Sequence, residues 1–200
     1  MAAPIEFYFD FSSPYSYLAS ESIEALAARY GRTVEYKPIL LGAAFKVSGL
    51  RPLTDIPLKG EYSRRDFERS ARFAGVPFVM PDPFPISSVA AARAALWIAD
   101  TDPDRARAFV HAALRAFFAQ GRNIADTVVL ADVLRRVGVD PERALAAIQQ
   151  PDVKDRLKVL VDAALARGVF GAPFIFVDDE PFWGHDRLPQ IERWLARGPF

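Results

Sequence analysis

Three stretches of the chain carry residue types that could do chemistry. The first is Phe7-Tyr8-Phe9-Asp10-Phe11-Ser12-Ser13-Pro14-Tyr15-Ser16-Tyr17-Leu18. Ser13 has the side chain of a helix N-cap, and Pro14 suits the first helical position, where no N–H is needed. A helix N-terminus carries about half a positive charge and several unpaired donors, so an anion beside Ser13 is stabilised. A thiolate is such an anion, and a thiol held there ionises more easily. The chain contains no cysteine, so any thiolate has to arrive with a ligand. Taken alone, a Ser-Pro after a strand is more often a helix cap and nothing else.

The second stretch is Gly168-Val169-Phe170-Gly171-Ala172-Pro173-Phe174. Pro173 removes a ladder donor where a strand begins, which leaves neighbouring backbone free to bind an extended ligand. Only about one X-Pro bond in twenty is cis, which by itself argues for a trans Ala172-Pro173 bond. The third is Trp183-Gly184-His185-Asp186-Arg187, a turn into a helix. Its backbone N–H groups and the Asp186 carboxylate could hold a ligand's carboxylate and amine. Singly, Asp186 reads as an N-cap and His185 as an exposed turn residue.

The surrounding pattern supplies the elements that would position these stretches. Ile5, Phe7, Phe9 and Phe11 alternate with Glu6, Tyr8 and Asp10 at the period of a strand. From Tyr15 the apolar residues recur at helical spacing to Tyr30, with Gly31 as the C-terminal cap. Thr33 to Lys37 reads as a second strand ending at Pro38, and residues 39–60 as a short helix followed by a long irregular loop, a candidate site wall. Tyr62–Ala74 reads as a helix whose Arg64, Arg65, Arg69 and Arg72 form a solvated face balanced by Asp66 and Glu68, in preference to a basic rim for a carboxylate. After the proline-rich stretch 76–85, five helices follow up to Gly168, with Ser87/Ser88, Asp102-Pro103, Asp126 and Asp140-Pro141 as start signals. Phe174 to Val177, a turn at 178–181, Phe182-Trp183 and a closing helix complete the chain. The order βαβ, helical block, ββα is what a thioredoxin-like α/β sheet with an all-helical insertion requires. Residues 1–59 and 169–200 then form a discontinuous thioredoxin-like domain, and 60–168 a helical insertion domain.

Composition narrows the function classes. Of 200 residues, 51% are hydrophobic and 12% aromatic, enough for a sizeable core. Twenty-five basic residues balance twenty-five acidic ones, so no overall field draws in nucleic acid or an anionic membrane. No apolar run reaches a membrane span, and the N-terminus lacks signal-peptide character, which points to a cytoplasmic protein. With no cysteine and only His111 and His185, neither a disulfide nor a protein metal site is expected.

Together, Phe-Asp-Phe-Ser-Ser-Pro-Tyr-Ser-Tyr-Leu-Ala, Gly-Val-Phe-Gly-Ala-Pro and Phe-Trp-Gly-His-Asp-Arg-Leu strongly resemble the 2-hydroxychromene-2-carboxylate isomerases. These are grouped with the kappa-class glutathione transferases in the DsbA-like thioredoxin superfamily. The resemblance implies a thioredoxin domain with a helical insertion, glutathione as cofactor and a small aromatic substrate. It implies that Ser13 hydrogen-bonds the glutathione sulfur and favours its thiolate. It further implies that Ala172 precedes a cis-proline, Pro173, and pairs its backbone with the cysteinyl part of glutathione. Trp183, Gly184, His185 and Asp186 match the turn that holds the glutamyl end, and Lys59 resembles a kappa-class lysine near glutathione. His185 departs from the relatives, which often carry Asn or Ser there. A homodimer is also implied.

The mechanism implied is reversible addition of glutathione thiolate to a conjugated carbon, rotation about the resulting single bond, and expulsion of the thiolate. Phe45, Tyr62, Phe84 and Trp97 are candidate walls for a flat substrate, with core the preferred role for Trp97. A glutathione transferase that conjugates electrophiles, or a non-catalytic glutathione-binding protein, would carry the same motifs. A disulfide oxidoreductase is excluded by the absence of cysteine.

Overall fold

A computed structural model describes residues 3–200, among which there are four strands and nine α-helices. Strands β1 (Ile5–Phe9), β2 (Val34–Pro38), β3 (Phe174–Val177) and β4 (Glu180–Trp183) form one sheet in the order β2-β1-β3-β4. β1 runs parallel to β2, with Phe7 opposite Tyr36, and antiparallel to β3, with Phe7 opposite Ile175. β4 pairs antiparallel with β3, setting Trp183 opposite Phe174. The parallel pair needs a crossover, which α1 (Pro14–Arg29) provides.

The alternation in β1 is real, but both of its faces are buried. Ile5, Phe7 and Phe9 enter the main core with Leu18 and Ile23 of α1, Phe109 and Leu114 of α5 (Pro103–Phe118), and Ile191 of α9 (Leu188–Arg197). Tyr8 instead joins Phe174, Phe176, Ala164 and Val169 in a second cluster beneath α8 (Pro151–Ala166). Helices on both sides of the sheet explain why the second face of β1 also carries a buried aromatic residue, Tyr8. Phe7, Phe9 and Phe11 are fully buried, each stabilising the fold by about 2 kcal/mol relative to exposure.

Between β2 and β3 lie α2 (Leu41–Ser48), a 3₁₀ turn (Leu53–Asp55), α3 (Lys59–Ala74), α4 (Val89–Ala99), α5, α6 (Thr127–Arg136), α7 (Pro141–Ala147) and α8. The expected caps form: Asp102 accepts from the Arg105 N–H, Asp126 from Val128, and Asp140 from Glu142 and Arg143. α3 begins three residues earlier than its apolar spacing suggests, because Gly60 packs against the Thr54 carbonyl, where a Cβ would not fit. Ser88 stands before α4 but makes no side-chain bond to that helix. The helical segment and the sheet share one core, in which the Phe11 and Phe109 rings lie 6.1 Å apart, edge to face.

Candidate active site

Ser13 is the N-cap of α1. The end of β1 is followed by a tight turn in which the Ser13 N–H donates to the Asp10 carbonyl at 3.0 Å. Its side chain accepts the Ser16 N–H at 3.1 Å, Pro14 occupies the first helical position, and no acidic residue lies in the first turn to neutralise the helix dipole. The same hydroxyl donates to the Ala172 carbonyl at 2.9 Å. This bond joins the first and second of the stretches singled out in the sequence. The Ala172-Pro173 peptide is cis, as the resemblance implies and against the X-Pro frequency alone.

The third stretch is joined to the second through the backbone, the Gly184 N–H donating to the Pro173 carbonyl at 3.0 Å. Gly184 has φ +113°, a conformation that L side chains rarely adopt, and a Cβ there would collide with the Asp186 carboxylate. The Trp183 indole lies over Gly171, its Nε1 only 2.6 Å from where a Cβ would stand, and its ring centroid is 4.8 Å from that of Phe170. Trp183 therefore forms a half-exposed lid over the approach to Pro173.

His185 is held by an unforeseen partner. Its ring stacks on Tyr15 at 4.7 Å with the planes 7° apart. The Tyr15 hydroxyl donates to Asp66 Oδ2 at 2.5 Å, so one side chain two residues beyond Ser13 touches both the C-terminal turn and α3. Burial pushes the His185 imidazole below the usual histidine range, against the pull of the Asp186 and Asp66 charges. Burial and the Asp66 carboxylate push the Tyr15 phenol up, keeping it a donor. His111, by contrast, lies elsewhere, its Nε2 3.1 Å from the Tyr36 hydroxyl and 3.2 Å from Glu24.

Two expectations are corrected. Asp186 is not the N-cap of the closing helix; it lies within a 3₁₀ turn, His185–Arg187, and its carboxylate pairs with Arg187 at 2.7 Å. α9 starts at Leu188 without a side-chain cap, Pro189 in its first turn lacking the N–H that a cap would serve. Nor is His185 a freely exposed turn residue, because the Tyr15 ring covers one of its faces.

Lys59 is not drawn into the cluster. It is the exposed first residue of α3, and its ammonium forms no ion pair among the described residues. The arginines of α3 are largely paired within the helix, Arg65 with Glu61, Arg69 with Asp66 and Arg72 with Glu68, as a solvated face requires. Of the wall candidates, Phe84 packs between Phe67 and Phe117, and Trp97 packs against the core beneath Arg143, whereas Tyr62 is exposed and accepts from Arg69. Two donors near Ser13 remain without an acceptor among the described residues, the N–H groups of Tyr15 and Ala172.

A sequence of β1-α1-β2 and β3-β4-α9 around one sheet, with a helical segment between, is a DsbA-like thioredoxin fold, and the DSBA-like thioredoxin domain family matches residues 4–196. Here a serine heads the first helix. The chain belongs to the 2-hydroxychromene-2-carboxylate isomerase family of enzymes, with the kappa-class glutathione transferases as further relatives. It is 36% identical to 2-hydroxychromene-2-carboxylate isomerase of Sphingobium xenophagum, covering 98% of this chain and 99% of that one. It is 31% identical to glutathione S-transferase kappa 2 of Caenorhabditis elegans, covering 98% and 92%. A solved structure of 2-hydroxychromene-2-carboxylate isomerase superposes with a TM-score of 0.88 at 30% identity, over 96% of this chain and 94% of that one. Among the described residues no helix is long and apolar enough to cross a membrane.

Proposed function

We propose that the protein is a glutathione-dependent isomerase of the 2-hydroxychromene-2-carboxylate type. The observation that carries this reading is the Ser13 hydroxyl, fixed at an unneutralised helix N-terminus and 2.9 Å from the backbone of Ala172. The chemistry of the donor set suits a thiol tripeptide: a hydroxyl and an open helix end for the sulfur, and a strand-like backbone for a peptide.

When bound, glutathione supplies a thiolate able to add reversibly to a conjugated carbon, which frees the intervening bond to rotate with no net redox. The chain's own residues do the rest. The Ser13 O–H turns from Ala172 toward the sulfur and the helix dipole favours the negative charge, both of which lower the thiol pKa. The Ala172 N–H, free of any acceptor among the described residues, is the donor for the peptide. Gly184 and Asp186 would hold the glutamyl end, the Asp186 carboxylate, now paired with Arg187, supplying the counter-charge for the ligand's ammonium. Lys59, exposed at the start of α3, would take a ligand carboxylate only if the bound peptide reaches it. The proline of Ala172-Pro173 and the Trp183 lid confine the peptide to one edge.

The 31% identity to a kappa-class transferase supports a second outcome at the same thiolate site, conjugation of an electrophile. A spectrophotometric assay of 2-hydroxychromene-2-carboxylate with and without glutathione, with Ser13→Ala in parallel, decides. Glutathione-dependent isomerisation lost in the variant supports the isomerase. Glutathione binding by calorimetry without turnover moves the reading to a transferase. Neither binding nor turnover overturns both.

A further inference from the structure

Asp10 is a buried acid that the proposed chemistry leaves unused. It is 2% exposed, and no cationic side chain pairs with it among the described residues. A buried carboxylate without a counter-charge is costly unless hydrogen bonds replace its water, so its retention calls for a reason. Its bonds tie the Ser13 turn to a segment distant in sequence. Oδ1 accepts the Ser12 N–H at 2.7 Å, and Oδ2 accepts the Leu41 N–H at 2.6 Å. The Ser88 hydroxyl, at the start of α4, lies near enough to favour its charged form. Its main-chain carbonyl takes the Ser13 N–H, and Ser12 Oγ in turn accepts the Ile86 N–H at 3.1 Å. α2 has no side-chain cap of its own, and its first N–H, that of Leu41, is met by Asp10 instead.

We propose that Asp10 is a positioning residue for the thiolate site: one buried carboxylate clasps the Ser13 turn and the first turn of α2, fixing the N-cap serine against that helix. This rests on the thiolate reading given above. Two acceptor oxygens are needed because two N–H groups from different segments converge on them, and an amide offers only one. Charge alone cannot be the reason. A carboxylate near the sulfur repels a thiolate and works against the Ser13 helix end.

That opposition in sign makes the test decisive. Glutathione is bound to wild type, Asp10→Asn and Asp10→Ala, and its thiol is titrated by the ultraviolet absorbance of the thiolate. Amide hydrogen exchange is followed at Ser12, Ser13 and Leu41. Loss of position raises the bound thiol pKa, by about one unit or tenfold in thiolate for Asp10→Ala, and less for Asp10→Asn. An unshifted or lowered pKa with unchanged exchange at Ser12, Ser13 and Leu41 overturns the inference, because removal of a nearby charge by itself lowers it. Should Asp10→Ala fail to fold, Asp10→Asn carries both measurements. Should wild type bind no glutathione, the thiolate reading fails separately, and the clasp is judged on exchange alone. Faster exchange at Leu41 in Asp10→Asn supports it, and unchanged exchange overturns it.

Discussion

The Ser13 hydroxyl spans 159 residues of chain to donate to the Ala172 carbonyl at 2.9 Å while it caps its own helix through the Ser16 N–H. One oxygen is therefore both a structural cap and the donor assigned to the sulfur. Ser13→Ala separates the two roles by size. Loss of the cap costs about 1 kcal/mol, a melting shift of about 2–4 °C for a chain of this length. Loss of the anion donor lowers turnover by about 10²–10³. Thermal melting and the isomerase assay on one preparation check both. A small melting loss with turnover retained would leave Ser13 a cap only.

His185 is predicted to titrate below its ordinary range by proton NMR, because burial disfavours its charged form. Its folded pKa lies under its unfolded value of 6.5, so folding releases a proton and stability declines as pH falls below that value. Asp66→Asn removes a charge that supports the imidazolium and moves the titration lower still. An upward shift in that variant would contradict the arrangement of Tyr15 between the two.

Glu6 sits at the opposite end of β1, bonded to Lys37 at 2.6 Å and to Arg167 at 2.6 Å. Burial alone would lift its carboxyl, but these two cations bring it down from 4.5 to about 2. Its contribution is therefore complete above pH 4.5 and is lost as pH falls toward 2. Glu6→Gln is expected to flatten the decline of the urea midpoint across that interval, with parallel curves the contrary result.

Gly171→Ala places a Cβ 2.6 Å from the Trp183 indole nitrogen. Trp183 is half exposed and can swing outward, so the expected stability cost is below about 1 kcal/mol. Its fluorescence should shift to the red and glutathione affinity should fall. An unchanged spectrum with unchanged affinity would remove Trp183 from the binding edge.

Much of this was legible because its signals are local. Ser13-Pro14, Asp102-Pro103 and Asp140-Pro141 each place a capping oxygen before a residue that has no N–H to satisfy, and each starts a helix. Ser13, Ala172, Trp183, Gly184 and His185 were within reach of short motifs for the same reason. Tyr15 and Asp10 were not. Tyr15 obeys the helical period of a core residue, and only the approach of α3 and the final turn gives its ring and hydroxyl their partners. Asp10 reads only as a polar position of an alternating strand, with no sign in the local pattern that α2 closes over it. Lys59, matched by motif, makes no ion pair among the described residues, and nothing in sequence spacing fixes where an exposed helix start points.

The order of the strands also bears on how the chain is made. β1 lies inside the sheet, but its two neighbours arrive at very different times: Val34 comes soon after Ile5, whereas Phe7 must wait for Ile175. Seven helices are synthesised while one edge of β1 stands unpaired, and an unpaired apolar edge invites association with other chains. Closure of the long loop is slow and entropically costly. The nascent chain is thus most exposed to misassembly just before β3 emerges, and the same late strand brings Ala172 to Ser13. Escape from aggregation and the first joining of the two halves of the site are reached in one step of synthesis.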